Sequence, residues 1–157
     1  MCPLRGQSLE SRLAAQASVG RAMGLAMNGK KPVGLGDIKP GLILHLDPDT
    51  FEKEGATYTC APQLRVRGGH FFLCISSSKD LSQWLPLYSE QGVGRKEIPR
   101  KGRTGDSKWT TASCFWHKDQ VWTASGKAAL AAAIAGGDMS TGLSLNRLAK
   151  TQIPAVQ

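Results

Sequence analysis

Apolar and polar residues alternate along several short stretches of the chain, which is the pattern of β-strands with one buried face. In residues 42–46 the leucines share one face, so we predict a strand whose leucines form the core side. Residues 70–76 are apolar on both faces, which predicts a central strand, and residues 83–88 predict a third strand. Pro86 cannot donate a ladder hydrogen bond, so we expect it at an edge or a bulge.

Aromatic, hydroxyl and ionisable side chains are concentrated in residues 107–125, and we expect function there. Aromatic and β-branched residues favour strands, and residues 118–120 fit a turn or bulge between residues 108–117 and residues 121–123. The stretch therefore predicts a long bent strand or a tight strand pair. An alanine-rich run that ends at two glycines predicts a short helix within residues 127–135. A weaker helix is predicted around residues 143–150.

Strands followed by helices, without βαβ alternation, predict a mainly β fold with flanking helices (α+β), built on a small antiparallel barrel. We expect an arm over residues 1–33, weakly helical or disordered, a compact domain over 34–136 and a tail over 137–157. No apolar run approaches the roughly 20 residues of a membrane-spanning helix. The first residues lack the hydrophobic segment of a secretory signal, so a cytoplasmic protein without membrane contact is expected.

The formal net charge of +8 favours binding to polyanions such as nucleic acid. Residues 95–108 contain six Lys or Arg in a Gly/Pro-rich setting, which predicts a mobile basic loop. Basic and aromatic side chains together are typical of single-stranded RNA binding, although a solvated loop beside core tryptophans explains the same pattern about as well. The predicted nucleic-acid contacts are Arg95, Lys96, Arg100, Lys101, Arg103, Lys108 and Trp109.

The cysteines lack the paired spacing of metal ligands and fit free thiols in a reducing compartment. A zinc site made of Cys60, Cys74, Cys114 and His117 is the alternative. Cys114 and His117 lie three residues apart on a predicted strand, which places them on opposite faces and argues against that site. We therefore expect neither a metal nor a cofactor.

Five short motifs follow one another in an order that resembles the PemK/MazF toxin family. They are GDI at residues 36–38, LDP at 46–48, FFLCIS at 71–76, WLPL at 84–87 and DQVWT at 119–123. The family has a GDI-type opening, a strand ending in LDP, a PvlIvS-like strand, a vvPiT-like strand and a DQvrT-like segment before a C-terminal helix. The resemblance covers roughly residues 36–135, and each motif is short and degenerate.

The resemblance implies an SH3-like barrel, usually dimeric, that cleaves single-stranded RNA without metal by attack of the ribose 2′-hydroxyl. It also implies an acidic antitoxin protein as partner. By position, Asp119 matches the family's acidic residue, His117 stands where a catalytic arginine is common, and Tyr88 replaces the threonine of the PiT motif. The arginine expected before the FFLCIS strand is missing, but Arg65 and Arg67 lie nearby and join the predicted RNA contacts.

Two functional classes remain open at this point. In a toxin-like ribonuclease, His117 would supply a proton or stabilise the phosphorane, while Asp119 would orient or charge it. In a catalytically silent SH3-like module that binds nucleic acid or a protein, His117 is a structural or surface histidine and Asp119 caps a turn. His45 and His70 interrupt or begin apolar strands, which favours a structural role for both.

Overall fold

A computed structural model of the protein describes residues 33–138 and 145–156, so the predicted N-terminal arm lies outside the described residues. The helices of these ranges are α1 (Pro48–Lys53), α2 (Ser107–Thr110) and α3 (Gly126–Ala135). The strands are β1 (Leu42–Leu46), β2 (Thr57–Tyr58), β3 (His70–Ser77), β4 (Ser82–Pro86), β5 (Arg95–Glu97), β6 (Arg103–Thr104), β7 (Phe115–His117), β8 (Trp122–Ala124) and β9 (Asn146–Leu148). None of the helices described is long and apolar enough to cross a membrane.

The fold is mainly antiparallel β. A seven-stranded sheet has the order β2-β8-β4-β3-β1-β9-β6, and β5 and β7 form a separate two-stranded sheet. Within the described ranges β2 and β6 do not pair with each other, so the large sheet is open where a closed barrel was predicted. Both end strands have only two residues, which leaves few backbone groups to continue the ladder around a barrel.

The predicted strands at the centre of the sheet are confirmed. Strand β1 has the predicted bounds, and β3 runs one residue further than predicted, to Ser77. Strand β4 is not at an edge, because it lies between β3 and β8. The last pair between β4 and β8 is at Trp84, so Pro86 pairs only with β3 and has no partner strand on its other side. The register shift in this pair of strands lies on β3, between Cys74 and Ser76.

Both faces of the large sheet are covered. On one face the leucines of β1 pack with Phe51 of α1 and the alanines of α3. The alanines let α3 approach closely, and Gly136 directly after it lies so near β1 that a Cβ would come within 2.5 Å of the His45 carbonyl oxygen. On the other face, Ile43 and Leu73 pack against Ile98, Trp109 and neighbouring side chains. The central strands are therefore buried on both sides, as the apolar run in β3 predicted.

The long bent strand or tight strand pair predicted over residues 108–123 is wrong, because β7 and β8 belong to different sheets and the residues before β7 are not extended. The Asp106 carboxylate accepts hydrogen bonds from the N–H groups of Lys108 and Trp109, at 2.8 and 3.2 Å, and so caps the helical turn α2. The Trp109 indole is fully buried and donates to the Arg147 carbonyl at 3.2 Å. The cap and this tertiary contact outweigh the strand preference of the local sequence, and only β7 is extended.

The predicted helix near the C-terminus is also wrong for the residues that the structure describes there. Residues 146–148 form β9, which pairs with both β1 and β6. Leu148 lies in the core, and the buried Asn146 side chain accepts a hydrogen bond from the Asp106 N–H at 2.8 Å. This segment therefore belongs to the sheet, while the predicted helix α3 is confirmed.

Thiol accessibility tests this packing. Burial raises the pKa of Cys74 to about 12 and also raises that of Cys114, so both thiols stay neutral and enclosed at pH 8. In a Cys2→Ser variant we expect an alkylating reagent to modify the half-buried Cys60 first and to reach the other two only in denaturant. Mass spectrometry of the labelled peptides measures this order, and rapid native labelling of Cys74 would contradict the core described above.

Candidate nucleic-acid interface

The small sheet presents one face with aromatic, basic and imidazole side chains. Arg95 of β5 pairs with His117 of β7, Glu97 pairs with Phe115, and Tyr88 forms an isolated bridge to Phe115 on the other side of β7. Because directly opposite residues and residues two apart point to the same face, these side chains share one surface. Tyr88 follows β4, so this surface adjoins the large sheet.

His117 is oriented by the backbone. Its Nδ1 accepts the N–H of Asp119 at 3.0 Å, so the neutral imidazole carries its proton on Nε2. Gly94 has a φ of +77° in a turn closed by the Arg95 N–H to the Gly92 carbonyl at 3.0 Å. A Cβ on Gly94 would lie 2.5 Å from His117 Nε2, so glycine keeps the space beside this donor open.

Arg95 lies flat on Tyr88, with its Cζ 3.6 Å from the ring centroid. One Nη1–H donates to the Glu90 carbonyl at 2.9 Å, which fixes the guanidinium next to His117. The Tyr88 hydroxyl donates to the Gln120 side chain. Burial raises the pKa of Tyr88, and Arg95 opposes this effect, so the phenol stays neutral at physiological pH. Arg95 is thus a permanent cation held in place by an aromatic ring and a carbonyl.

His70 lies on the other side of Tyr88, with 5.8 Å between the ring centroids. Its Nδ1 faces the Gly68 carbonyl at 3.0 Å. A carbonyl oxygen only accepts, so Nδ1 carries the proton and Nε2 of the neutral ring keeps its lone pair. The free Nε2 is therefore an acceptor in His70 and a donor in His117. Both residues neighbour the Tyr88–Arg95 stack, His70 through its ring contact with Tyr88 and His117 through its backbone pairing with Arg95.

Asp119 does not hold His117 through its carboxylate. The carboxylate is 66% exposed, and its nearest cation is Lys118 Nζ at 3.3 Å. The Asp119 carbonyl accepts the Thr59 hydroxyl at 2.8 Å, and the Thr59 Oγ1 in turn accepts the Val121 N–H at 3.0 Å. The sequence predicted that the Asp119 side chain orients His117, but the main-chain N–H of Asp119 does so instead.

Several of the predicted RNA contacts are exposed cations. Lys96 is exposed, and its Nζ lies 5.8 Å from the Trp116 ring centroid. Arg100 donates to the Thr111 carbonyl at 3.0 Å and stays exposed. Arg67, Lys101 and Lys108 are exposed as well. The segment 95–108 is ordered into β5, β6 and turns, where a mobile loop was expected.

Three of the predicted contacts are engaged within the protein. Arg65 pairs with Asp49 and with Glu52, at 3.3 Å from the latter, and the Asp49 hydrogen bond raises the pKa of Arg65. Arg103 is 8% exposed, and Trp109 has no exposed surface. These positions cannot reach RNA in this conformation, and their roles are structural.

Arg103 satisfies backbone carbonyls instead of a carboxylate. Its Nη2 donates to the Ile98 carbonyl at 2.6 Å, its Nε to that of Pro99 at 3.1 Å, and its Nη1 to those of Trp109 and Ala112 at 2.8 and 2.7 Å. The guanidinium also lies 4.5 Å from the Trp109 ring centroid. A fork of several donors suits such a cluster of carbonyls better than an ammonium group would.

From the sequence, His70 was expected to be structural, and Tyr88 was noted only as the residue at the threonine position of the PiT motif. His70 and Tyr88 come close to Arg95 only because β7 pairs with β5 on one side and bridges to Tyr88 on the other. Nothing in the local sequence of these segments indicates that pairing. The position of His70 at the very start of an apolar strand is the one hint the sequence offers, because strand ends are where side chains reach the surface. Among the described residues, no three His, Cys, Asp or Glu side chains come together as a metal site requires.

The chain was compared with known proteins in three ways. No protein family matches it, and neither a curated protein nor a solved structure matches it significantly. The assignment of function therefore depends on the geometry of this face and on the motif resemblance.

Arg103→Met tests the structural role of this cation. Methionine retains much of the aliphatic stem but leaves the four carbonyls without their donor, so we expect a loss of about 3 kcal/mol in the free energy of unfolding. Lys101→Met is the matched control, because it removes one exposed cation from the same segment. Denaturant unfolding of both variants measures the difference, and equal stabilities would contradict the role.

Proposed function

We propose that the protein is a PemK/MazF-like endoribonuclease that cleaves single-stranded RNA without metal. The observation that carries the proposal is a pair of histidines with opposite Nε2 protonation, one in ring contact with Tyr88 and the other paired with Arg95, which stacks on Tyr88. Cleavage by 2′-hydroxyl attack needs a base, a hydrogen-bond donor and a cation at the phosphate, and this face offers one of each.

In the proposed reaction the His70 Nε2 lone pair takes the proton of the ribose 2′-hydroxyl. The 2′-oxygen then forms a bond to phosphorus as the bond to the 5′-oxygen breaks, and the leaving oxygen takes a proton from water at this open face. Arg95 and the His117 Nε2–H stabilise the negative charge on the phosphoryl oxygens. The products are a 2′,3′-cyclic phosphate and a 5′-hydroxyl.

The position of Arg95 compensates for the histidine at position 117, where the family commonly has an arginine. The resemblance places His117 where the family commonly has an arginine, and a histidine lacks the permanent charge and the bidentate fork of that residue. Arg95, its ladder partner in β5, supplies the missing cation from the neighbouring strand. Arg100 and Lys101 follow β5 and are exposed, so they add positive charge next to the small sheet, whereas Lys96 pairs with Trp116 on the opposite face of that sheet.

The positions of the strands support the SH3-like part of the proposal. Three of the motif strands coincide with β1, β3 and β4, and the last motif ends in β8 before helix α3. That agreement supports an SH3-like ancestry for the open sheet. By the same resemblance, an acidic antitoxin protein and a second copy of the chain are the proposed partners.

One observation favours the second candidate, a module that binds RNA without cleaving it. The hydrogen bonds of the His70 and His117 rings are with backbone groups, and no carboxylate within the described residues orients either ring. A site without that support binds phosphate but gains less from acid–base catalysis.

Cleavage of mixed-sequence single-stranded RNA in EDTA separates the two candidates. We expect wild-type cleavage to persist in EDTA, and His70→Ala, Arg95→Ala and His117→Ala each to lower the rate by about 10² to 10⁴. Lys79→Ala is the control, because this exposed cation lies beyond the far end of β3, about 20 Å along the strand from His70.

Dependence on divalent metal, or full activity in His70→Ala or His117→Ala, would contradict the proposed roles. Salt-sensitive RNA binding without cleavage in the wild type would leave the binding module as the function. Cyclic phosphate ends, detected by mass spectrometry, identify the 2′-hydroxyl as the nucleophile.

Asp119→Asn tests the role of the exposed carboxylate. The substitution keeps the backbone N–H that orients His117, so we expect the cleavage rate to fall by less than about tenfold, well short of the loss of an acid–base group. A loss as large as that of His117→Ala would show that the carboxylate itself takes part. Steady-state cleavage of one RNA by both variants makes the comparison.

A further inference from the structure

His45 has a protonation pattern that the proposed reaction does not use. Its Nδ1 faces the Gly136 carbonyl at 2.7 Å, so Nδ1 carries the proton and Nε2 keeps its lone pair. Its backbone N–H donates to the Asp138 carboxylate, and its ring makes an edge contact with Phe71 at 5.3 Å between centroids. The imidazole is thereby fixed in one orientation, with one acceptor atom left over.

A cleft of about 250 Å³ lies between His45 and the candidate face. Its walls include the apolar Phe71 and Leu87, and its polar groups include His45, His70 and Tyr88. Apolar walls with a few fixed polar groups are typical of small-molecule sites, and the volume is sufficient for one flat heterocycle. The cleft is continuous with the proposed reaction centre, because His70 and Tyr88 belong to both.

The His45 ring borders this cleft and also a second cavity. Nδ1 turns toward Gly136, which lines a different and larger cavity of about 510 Å³. Cε1 lies against Gly69, where a Cβ would come within 2.5 Å of it. Gly69 lines the smaller cleft, and both ring nitrogens lie 3.3 Å from the position of its Cβ. Because Nδ1 already donates to Gly136, Nε2 is the ring nitrogen that can accept a hydrogen bond from a ligand there.

We propose that this cleft binds the base of the nucleotide whose 2′-hydroxyl attacks, and that His45 Nε2 accepts a hydrogen bond from an exocyclic amino group of that base. The inference rests on the proposed function, because His70, the base for that hydroxyl, forms part of the cleft wall. Cytosine and adenine have such an amino group, whereas uracil and hypoxanthine have a carbonyl oxygen at the same position. An acceptor opposite a carbonyl is repelled and left unpaired, which is how a polar site rejects a close analogue.

The test uses DNA oligonucleotides with a single ribonucleotide, so that only one 2′-hydroxyl can attack. The base at that position is cytosine, uracil, adenine or hypoxanthine, and kcat/KM is measured for the full-length protein. We expect cytosine over uracil and adenine over hypoxanthine by about tenfold, the effect of one hydrogen bond. Equal rates within each pair, or a preference for the carbonyl bases, would overturn the inference.

His45→Phe keeps a ring against Phe71 and removes the acceptor, so the tenfold preference should disappear. His45→Gln can present an amide oxygen near the position of Nε2, so part of the preference should return, and it is the second variant if the first fails to fold. Retention of the full preference in His45→Phe would overturn the assignment of His45. Thermal unfolding of both variants checks their folding.

The outcomes separate this inference from the proposed cleavage. If the wild type cleaves without preference within the base pairs, the cleavage holds and the base site fails. If the wild type cleaves none of the oligonucleotides, the cleavage fails, and fluorescence anisotropy with the same four oligonucleotides tests the cleft alone. A preference for the amino bases in binding, lost in His45→Phe, then supports the site, and equal affinities overturn it.

Discussion

The buried guanidinium of Arg103 holds together the segment that covers the second face of the sheet. Two of the carbonyls it binds, those of Ile98 and Pro99, directly follow β5, and a third, that of Ala112, lies shortly before β7. The cation therefore links the two strands whose pairing places Arg95 opposite His117. Burial lowers the pKa of Arg103, yet an arginine remains charged, so its donors stay available to these carbonyls.

Backbone groups, more than side chains, set the chemistry of the candidate face. A carbonyl at Gly68 and another at Gly136 place protons on Nδ1 of His70 and His45, while an N–H at Asp119 does the reverse for His117. The Nε2 atom of each histidine is thereby defined as a donor or an acceptor before any ligand binds. Groups positioned in this way need no reorganisation when charge develops at a phosphate.

The elements that depend on local pattern could be predicted from the amino-acid sequence alone. The strand at residues 42–46, the apolar strand beginning at His70 and the helix ending at Ala135 all appear with nearly the predicted bounds. Period-two alternation and an alanine-rich run before glycines depend on residues close in the chain, so they can be interpreted without the fold. The cluster of cations in residues 95–108 was equally visible, because composition needs no tertiary information.

The contacts between these elements could not be predicted from the sequence, because they depend on the fold. The stretch after Asp106 became a helical turn because a capping carboxylate and the burial of Trp109 outweighed its strand preference, and β9 became a strand because β1 and β6 lay on either side of it. Of the cations that looked equivalent, Arg103 was buried, Arg65 was paired and Arg95 was brought to His117. Such outcomes depend on partners distant in sequence, and the energy of a charged or aromatic side chain depends on those partners more than on its chain neighbours.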